Sequence, residues 1–131
     1  MLRAVQTALY SRLTGDATLM AKITGVYDQT PQGEAFPYVV IGEDDAEDFD
    51  DDRATGFDVE MMIHAWGRTH RGRQEVKAIQ ADIYRLLHRQ PLTVTGADTA
   101  DTIVEFTETF RDADGLTYHG AQRVRLIVTA T

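Results

Sequence analysis

Apolar side chains recur at helical spacing in two parts of the chain. Within residues 2–13 they are separated by steps of three and four, with Arg and Gln off that stripe, so an amphipathic helix is predicted at the N-terminus. Gly15 ends this helix, and Asp16 is placed to cap a short second helix that continues to Ile23. The longest stripe of this kind predicts a third helix over residues 74–89.

Strand-like patterns occupy most of the remaining chain. Residues 38–41 form a short apolar run typical of a buried strand, and residues 57–66 alternate in the manner of a second strand. The polar segment between them, residues 44–52, is predicted to be a loop. Farther on, residues 92–94 predict a short edge strand, and residues 96–101 predict a loop.

Two long strands close the chain, over residues 102–110 and 116–129. The segment 112–115 between them has the composition of a hairpin turn, with Gly115 at the position that needs a positive φ. Strands that come from distant parts of the chain, two of them joined by a hairpin, favour an α+β fold. We therefore expect a mainly antiparallel β-sheet with helices packed on one face, in an order of strands that the pattern leaves open.

Length and composition narrow the possible classes of protein. A chain of 131 residues has the size of one ordinary domain, and we expect a single domain over residues 1–131. The absence of cysteine excludes disulfides, thiolate metal ligands and a cysteine nucleophile. A formal net charge of −8 argues against a nucleic-acid ligand. No stretch resembles a signal peptide or a membrane span, so we expect no membrane partner and synthesis in the cytoplasm.

The predicted loop 44–52 holds seven carboxylates in nine residues. Three alternating aspartates over residues 48–52 match the first ligand positions of a calcium-binding loop. However, Arg53 stands where that loop requires glycine, and Val59 stands where it requires a bidentate Glu. We interpret the segment as a solvated loop or as a docking surface for a basic neighbour, and we expect no metal.

The segment 67–74 lies between a predicted strand and a predicted helix, where phosphate-binding loops occur, and it has two glycines at the required separation. Arg73 replaces the lysine of such loops, and Gln74 replaces the Ser or Thr that would hold Mg²⁺. We interpret it as a basic turn at a helix N-terminus, where an anion is favoured. A carboxylate from another subunit is the expected anion.

No pattern of catalytic residues emerges elsewhere. The chain has four histidines, and no two of them have the spacing of a zinc motif, so each is interpreted as a surface or half-buried side chain. Ser11 is the single serine and lies within the first predicted helix, away from any strand-to-helix elbow. The sequence therefore predicts a protein that is not an enzyme and needs no cofactor.

Three segments together carry a resemblance to a known family. They are residues 30–42 (TPQGEAFPYVVIG), residues 64–66 (HAW) with the basic turn and helix that follow, and residues 111–120 (RDADGLTYHG). In that order and spacing they resemble the small tail-completion, or tail-terminator, proteins of long-tailed phages and gene transfer agents. The resemblance covers nearly the whole chain, and the acidic segment 44–52 is the part where it is least informative.

The resemblance implies a ring, usually of six subunits, at the head-proximal end of the tail tube. Such a ring stops tube polymerisation and offers a docking surface to the connector of the head, so the implied partners are further copies of the chain, the tail-tube protein and the connector. DNA would pass through the lumen without specific binding. A head-completion stopper of the same pathway is the alternative function, and a small enzyme or a calcium-binding module is a third.

A closed ring requires an interface in which one surface patch meets a different patch on the next copy. The acidic segment and the basic turn are unlike patches of this kind. We hypothesise that the acidic segment of one copy meets the basic turn of its neighbour, or meets a basic partner ring. The residues of this hypothesis are Asp48, Asp50, Asp51, Asp52, Arg68, Arg71 and Arg73. We also expect the lumen to be negative or neutral, because phosphate would otherwise be trapped there.

Overall fold

The computed structural model describes residues 1–33, 36–68, 72–99 and 101–131. The helices over these ranges are α1 (Leu2–Thr14), α2 (Ala17–Met20) and α3 (Arg73–Leu87). The strands are β1 (Val26–Tyr27), β2 (Tyr38–Asp48), β3 (Gly56–Gly67), β4 (Ala97–Thr99), β5 (Ile103–Arg111) and β6 (Tyr118–Ala130).

These strands form one sheet, in which β1, β2, β3 and β6 are neighbours in that order. The far edge of β6 pairs with β4 near one end and with β5 along the rest. Only the short β1–β2 pair is parallel among the described strands, and the other pairs are antiparallel. The expected α+β class with a mainly antiparallel sheet is therefore confirmed.

All three helices pack on one face of the sheet and enclose the core with it. Alternate residues of β3 and β6 point toward the helices, and α1 and α3 present the stripes that the sequence predicted. Burying each such aliphatic side chain stabilises the fold by about 1.5–3 kcal/mol. The completely buried side chains include Leu9, Leu13, Val59, Met61, Ile63, Ile79, Ile83, Val124 and Leu126. The opposite face of the sheet carries no described helix and is called the helix-free face below.

The two helix ends that the sequence predicted differ slightly from the structure. Asp16 caps α2 as expected, since its Oδ2 accepts a hydrogen bond from the Leu19 N–H at 2.9 Å, but the helix ends at Met20 rather than at Ile23. Helix α3 ends at Leu87 because the backbone of His88 is extended, with ψ at 121°, and Arg89 after it adopts a left-handed φ of 57°. None of the helices that the structure describes has the length and apolar character needed to cross a membrane.

The prediction of a loop over residues 44–52 is wrong for its first half. Strand β2 continues to Asp48, and Asp44 to Asp48 pair with Met61 to Phe57 of β3 after an irregularity that follows Ile41. Acidic residues have low strand propensity, but cross-strand pairing overrides it here because β3 supplies a partner for the backbone of each residue. The carboxylates of this half of β2 are exposed and are therefore held on a rigid strand.

The predicted edge strand over residues 92–94 is also wrong. Leu92 and Val94 are buried core residues outside any strand, and β4 lies instead at Ala97–Thr99, inside the predicted loop 96–101. The difference arises because β4 pairs with the end of β6, a contact between segments about thirty residues apart that the local pattern does not reveal.

Candidate interaction surfaces

The turn between β2 and β3 carries an exposed acidic surface. We call Asp48–Asp52 the acidic tip; all five of its residues are exposed. Asp48 is the last residue of β2, and the next four residues form the turn with Phe49 at their start. Phe49 has 58% of its surface exposed, which is unusual for an aromatic side chain. The acidic tip therefore combines four carboxylates with one apolar ring.

Two of these carboxylates hold the turn in shape. Asp50 Oδ1 accepts a hydrogen bond from the Gly56 N–H at 3.0 Å. Asp51 Oδ1 accepts two, from the N–H groups of Arg53 at 2.8 Å and Ala54 at 2.9 Å, as aspartates in tight turns commonly do. Asp50 and Asp51 are thus partly structural.

The basic residues lie where β3 ends and α3 begins. Arg68 is tied to the neighbouring β5–β6 turn, because its Nε donates to Thr117 Oγ1 at 3.1 Å and its Nη2 donates to Asp114 Oδ2 at 3.4 Å. Its guanidinium also lies 4.5 Å from the centroid of the Phe36 ring, a cation–π contact. The cation of Arg68 is therefore fixed in place, with 37% of the side chain accessible.

Arg73 makes fewer described side-chain contacts than Arg68. It is exposed at the first position of α3, with its guanidinium 5.7 Å from the centroid of the Tyr118 ring. Arg71 lies outside the described residues. We call Arg68 and Arg73, together with the β5–β6 turn beside them, the basic end.

The β5–β6 turn is ordered by one aspartate. Asp114 Oδ1 accepts hydrogen bonds from the N–H groups of Leu116 and Thr117, both at 2.8 Å, and Oδ2 accepts one from Thr117 Oγ1 at 2.7 Å. The Thr117 hydroxyl, these backbone N–H groups and the charge of Arg68 lower the pKa of Asp114 to about 2. Gly115 has the predicted positive φ, 72°, and Leu116 after it is 64% exposed.

The acidic tip and the basic end lie at opposite ends of β3. The Phe49 N–H bonds to the carbonyl of Gly56, where β3 starts, while Gly67 at the end of β3 pairs with Tyr118. The 12-residue length of β3, at about 3.3 Å per residue, separates the two surfaces by about 35 Å. The structure therefore does not bring the acidic and basic residues of one subunit together, and a contact between them would have to join two copies.

The helix-free face carries a cluster of rings near the basic end. His64 Nδ1 and His119 Nε2 are 2.7 Å apart, and His64 Nε2 lies 3.1 Å from a carboxylate oxygen of Glu43. His119 is stacked on Trp66, with ring centroids 3.7 Å apart and planes inclined by 12°, and Phe110 packs against its other side. These histidines are half-buried, as the sequence predicted, and burial together with the charge of His64 lowers the pKa of His119 to about 4.

Ion pairs occupy the other half of this face. Arg125 Nε donates to Asp58 Oδ1 at 2.8 Å, and Arg123 Nε donates to Glu105 Oε1 at 2.9 Å. Glu60 lies beside them, and burial, then the charges of Glu105 and Asp45, raise its pKa. Among the described residues, no group of three or more acidic or histidine side chains is arranged to hold a metal ion. The expectation that the chain binds no metal stays a prediction.

The sequence patterns did not single out Phe49 or Leu116. One signal was present in each case: a lone aromatic residue within a run of carboxylates, and an aliphatic residue directly after a turn glycine. Either could equally have pointed inward, because exposure is decided by the fold and not by the neighbouring sequence.

Comparison with known proteins agrees with these observations. The model of the family "Tail completion protein gp17" matches residues 7–129. The tail completion protein gp17 of Bacillus phage SPP1 is 29% identical over 126 residues, which cover 96% of this chain and 92% of that protein. The structure of bacteriophage SPP1 gp17 is similar with a TM-score of 0.64 and 28% identity, over 95% of this chain and 88% of that one.

A chain of the virion of a native gene transfer agent particle has the same fold. Its TM-score is 0.86 at 24% identity, over 95% of this chain and 94% of that chain. The residues matched by the family model and by the SPP1 protein extend from α1 to β6. The chain therefore belongs to the tail completion protein gp17 family, and its role is structural rather than enzymatic.

Proposed function

We propose that the protein forms a ring, of six copies, at the head-proximal end of a phage-type tail, where it ends polymerisation of the tail tube and joins the tail to the head connector. Membership of the tail completion family across residues 7–129 is the observation that carries this proposal. The protein is then a component of the virion, assembled in the cytoplasm of the bacterial host. Its neighbours are copies of itself, the tail-tube protein and the connector.

The distribution of charge supports a ring. A cyclic assembly repeats a contact between two different patches, and these patches must lie on different sides of the subunit. The acidic tip and the basic end meet both conditions, because they differ in charge and lie about 35 Å apart along β3. The acidic tip carries four carboxylates, whereas the basic end carries the cations of Arg68 and Arg73 beside Asp112 and Asp114. In the ring, Asp48 and Asp52 of one copy face Arg68 and Arg73 of the next. Asp50 and Asp51 add charge while shaping the turn, and Arg71 belongs to the same segment.

The passage of DNA places a condition on the lumen. A lumen lined by cations would bind phosphate and slow the genome, so the basic end has to be covered by the neighbouring copy or turned away from the channel. The net charge of −8 leaves enough carboxylates to line it. Crosslinking of the Arg68–Arg73 segment to DNA within assembled tails would count against this arrangement.

Native mass spectrometry over a series of protein concentrations, at low and high salt, tests the ring first. We expect a hexamer that dissociates as salt rises, because exposed charges are screened within about 10 Å at 0.1 M salt. Arg73→Glu should weaken assembly at low salt, whereas Arg3→Glu, the same change at an exposed position of α1, should leave it intact. If the free protein is monomeric, the same variants are compared on purified tail tubes.

A stopper protein of the head-completion pathway is the alternative to be separated from a terminator. Electron microscopy of particles produced without the protein distinguishes the two. Loss of a terminator should give overlong or headless tails, because tube polymerisation has lost its stop. Loss of a stopper should instead leave tails of normal length beside heads that fail to retain DNA.

A further inference from the structure

The two most exposed large apolar side chains among the described residues are Phe49, at 58%, and Leu116, at 64%. Each lies on a hairpin turn, and the two turns are at opposite ends of β3. Contact of these apolar side chains with water is unfavourable, and burial in an interface would remove it. They lie on the two surfaces that the proposed ring would bring together.

Both turns hold their apolar residue in one position. Three hydrogen bonds to the carboxylates of Asp50 and Asp51 order the turn that carries Phe49. Asp114 orders the turn that carries Leu116 through hydrogen bonds to the Leu116 and Thr117 N–H groups. Contacts made by ordered segments lose less conformational entropy on association than contacts made by mobile ones.

The charged side chains around the two residues differ. Phe49 lies between Asp48 and Asp50, whereas Leu116 lies at the end of β3 that carries Arg68 and Arg73. Asp114, whose carboxylate accepts the Leu116 N–H, is paired there with Arg68. Interfaces between subunits typically have an apolar centre surrounded by a polar rim. Each of the two surfaces has this form. The rim around Phe49 is acidic, and the rim around Leu116 contains the cations of Arg68 and Arg73 together with Asp114.

We propose that Phe49 of one copy packs against Leu116 of the next copy, and that the aspartates around Phe49 face Arg68 and Arg73 around Leu116. This inference rests on the proposed ring and names its central contact. Apolar packing supplies the part of the affinity that salt does not weaken, and the charged rim selects the orientation. A contact between Phe49 and Leu116 of the same copy is excluded by their separation along β3.

Cysteine crosslinking tests the pairing directly, because the natural chain contains no cysteine. In the double variant Phe49→Cys/Leu116→Cys, mild oxidation should join neighbouring copies and give a ladder of covalent oligomers that ends at the number of copies in the ring. The two thiols of one chain are too far apart for a disulfide, which requires Cβ atoms about 4 Å apart. The control variant Tyr10→Cys/Leu116→Cys, with an exposed position on α1, should give no ladder.

The outcomes separate this inference from the ring itself. A ring seen by native mass spectrometry or on tail tubes, but without the ladder, overturns the Phe49–Leu116 contact and leaves the ring in place. A disulfide between two copies of the single variant Phe49→Cys would overturn the Phe49–Leu116 contact as well, since it would show that the acidic tips of two copies meet each other. Monomers under every condition, with tail tubes included, overturn the ring and this contact together.

Phe49→Ala provides a second test. Truncation of a central apolar contact should raise the dissociation constant of the assembly at least about tenfold, to a similar degree at low and at high salt. Phe49→Leu should retain most of the affinity. At a concentration where all three proteins are monomeric, both variants should unfold at the same denaturant concentration as the natural protein, because Phe49 is exposed in the single subunit. Unchanged assembly of Phe49→Ala would overturn the proposal.

Discussion

His64 and His119 are joined across β3 and β6 by a hydrogen bond of 2.7 Å between Nδ1 of the first and Nε2 of the second. One ring must donate and the other must accept, so the contact requires a neutral imidazole. His119 is also stacked on Trp66, which removes much of its surface from water. The pair therefore ties the stability of the helix-free face to pH.

Acidification from about pH 6.5 to about 4 should destabilise the protein. The pKa of His119 falls from 6.5 to about 4 in the folded protein, first because of burial and then because of the charge of His64; Asp112 and Glu43 oppose the shift. Because the folded pKa is depressed, the unfolded chain binds a proton that the folded chain does not between these two values. The stabilisation is complete above about pH 6.5 and is lost as the pH falls toward about 4. Urea unfolding midpoints across this range measure it.

The control for this prediction is His119→Gln, which removes the titrating group and keeps a polar side chain. Its overall stability will change because the stacking on Trp66 changes, so the informative quantity is the slope of stability against pH. We expect a smaller slope than in the natural protein between about pH 6.5 and about 4. Equal slopes would assign the pH dependence to other groups.

Gly120→Ala should destabilise the fold. A Cβ at Gly120 would collide with the carboxamide of Gln80 and would lie 2.7 Å from a methyl group of Val76, both on α3. Gln80 cannot move freely, since it donates to the Glu108 carbonyl at 3.0 Å and accepts from Thr109 Oγ1 at 2.8 Å. Overpacking of this kind costs about 1–3 kcal/mol in the free energy of unfolding, which urea denaturation measures.

A double-mutant cycle with Gln80→Ala checks the cause. If the collision with Gln80 is responsible, Gly120→Ala should cost less in the Gln80→Ala background than in the natural protein. Additive losses from the two changes would instead indicate that Val76 or the backbone of β6 limits the space.

Asp114→Asn should lower the thermal midpoint at neutral pH, because the amide replaces a carboxylate that accepts four hydrogen bonds, from Leu116, Thr117 and Arg68. The pKa of Asp114 is depressed from 3.8 to about 2, so its stabilisation is complete above about pH 4 and is lost as the pH falls through about 2. The difference in thermal midpoint between the two proteins should shrink over this interval. A difference that is independent of pH would show that the charge of Asp114 has no part in it.

Calcium should not bind at the acidic tip with defined stoichiometry. Asp50 and Asp51 already accept backbone N–H groups, and Asp48 belongs to a strand rather than to a loop that could wrap an ion. Calorimetric titration at moderate salt should give only weak, unsaturated heats, with an unchanged thermal midpoint. A saturable site of one ion per chain that raises the midpoint would revive a calcium-binding function.

The sequence by itself determined the elements whose pattern is long and local. The stripes of α1 and α3, the alternation of β3, the cap by Asp16 and the turn at Gly115 all follow from contacts within a few residues, so periodicity and turn chemistry suffice to predict them. The family resemblance also followed from the sequence, because motif order and spacing do not depend on knowing the fold.

Only the tertiary structure decided how far the sheet extends and which surfaces remain exposed. Pairing with β3 turned Asp44 to Asp48 into a strand, and pairing with β6 placed β4 at Ala97–Thr99 instead of at residues 92–94. The placement of Phe49 and Leu116 at opposite ends of β3 likewise depends on contacts between segments distant in the chain. Local sequence patterns do not predict such contacts. Strand formation depends on the partner strand, and the exposure of a side chain depends on which other parts of the fold pack against it.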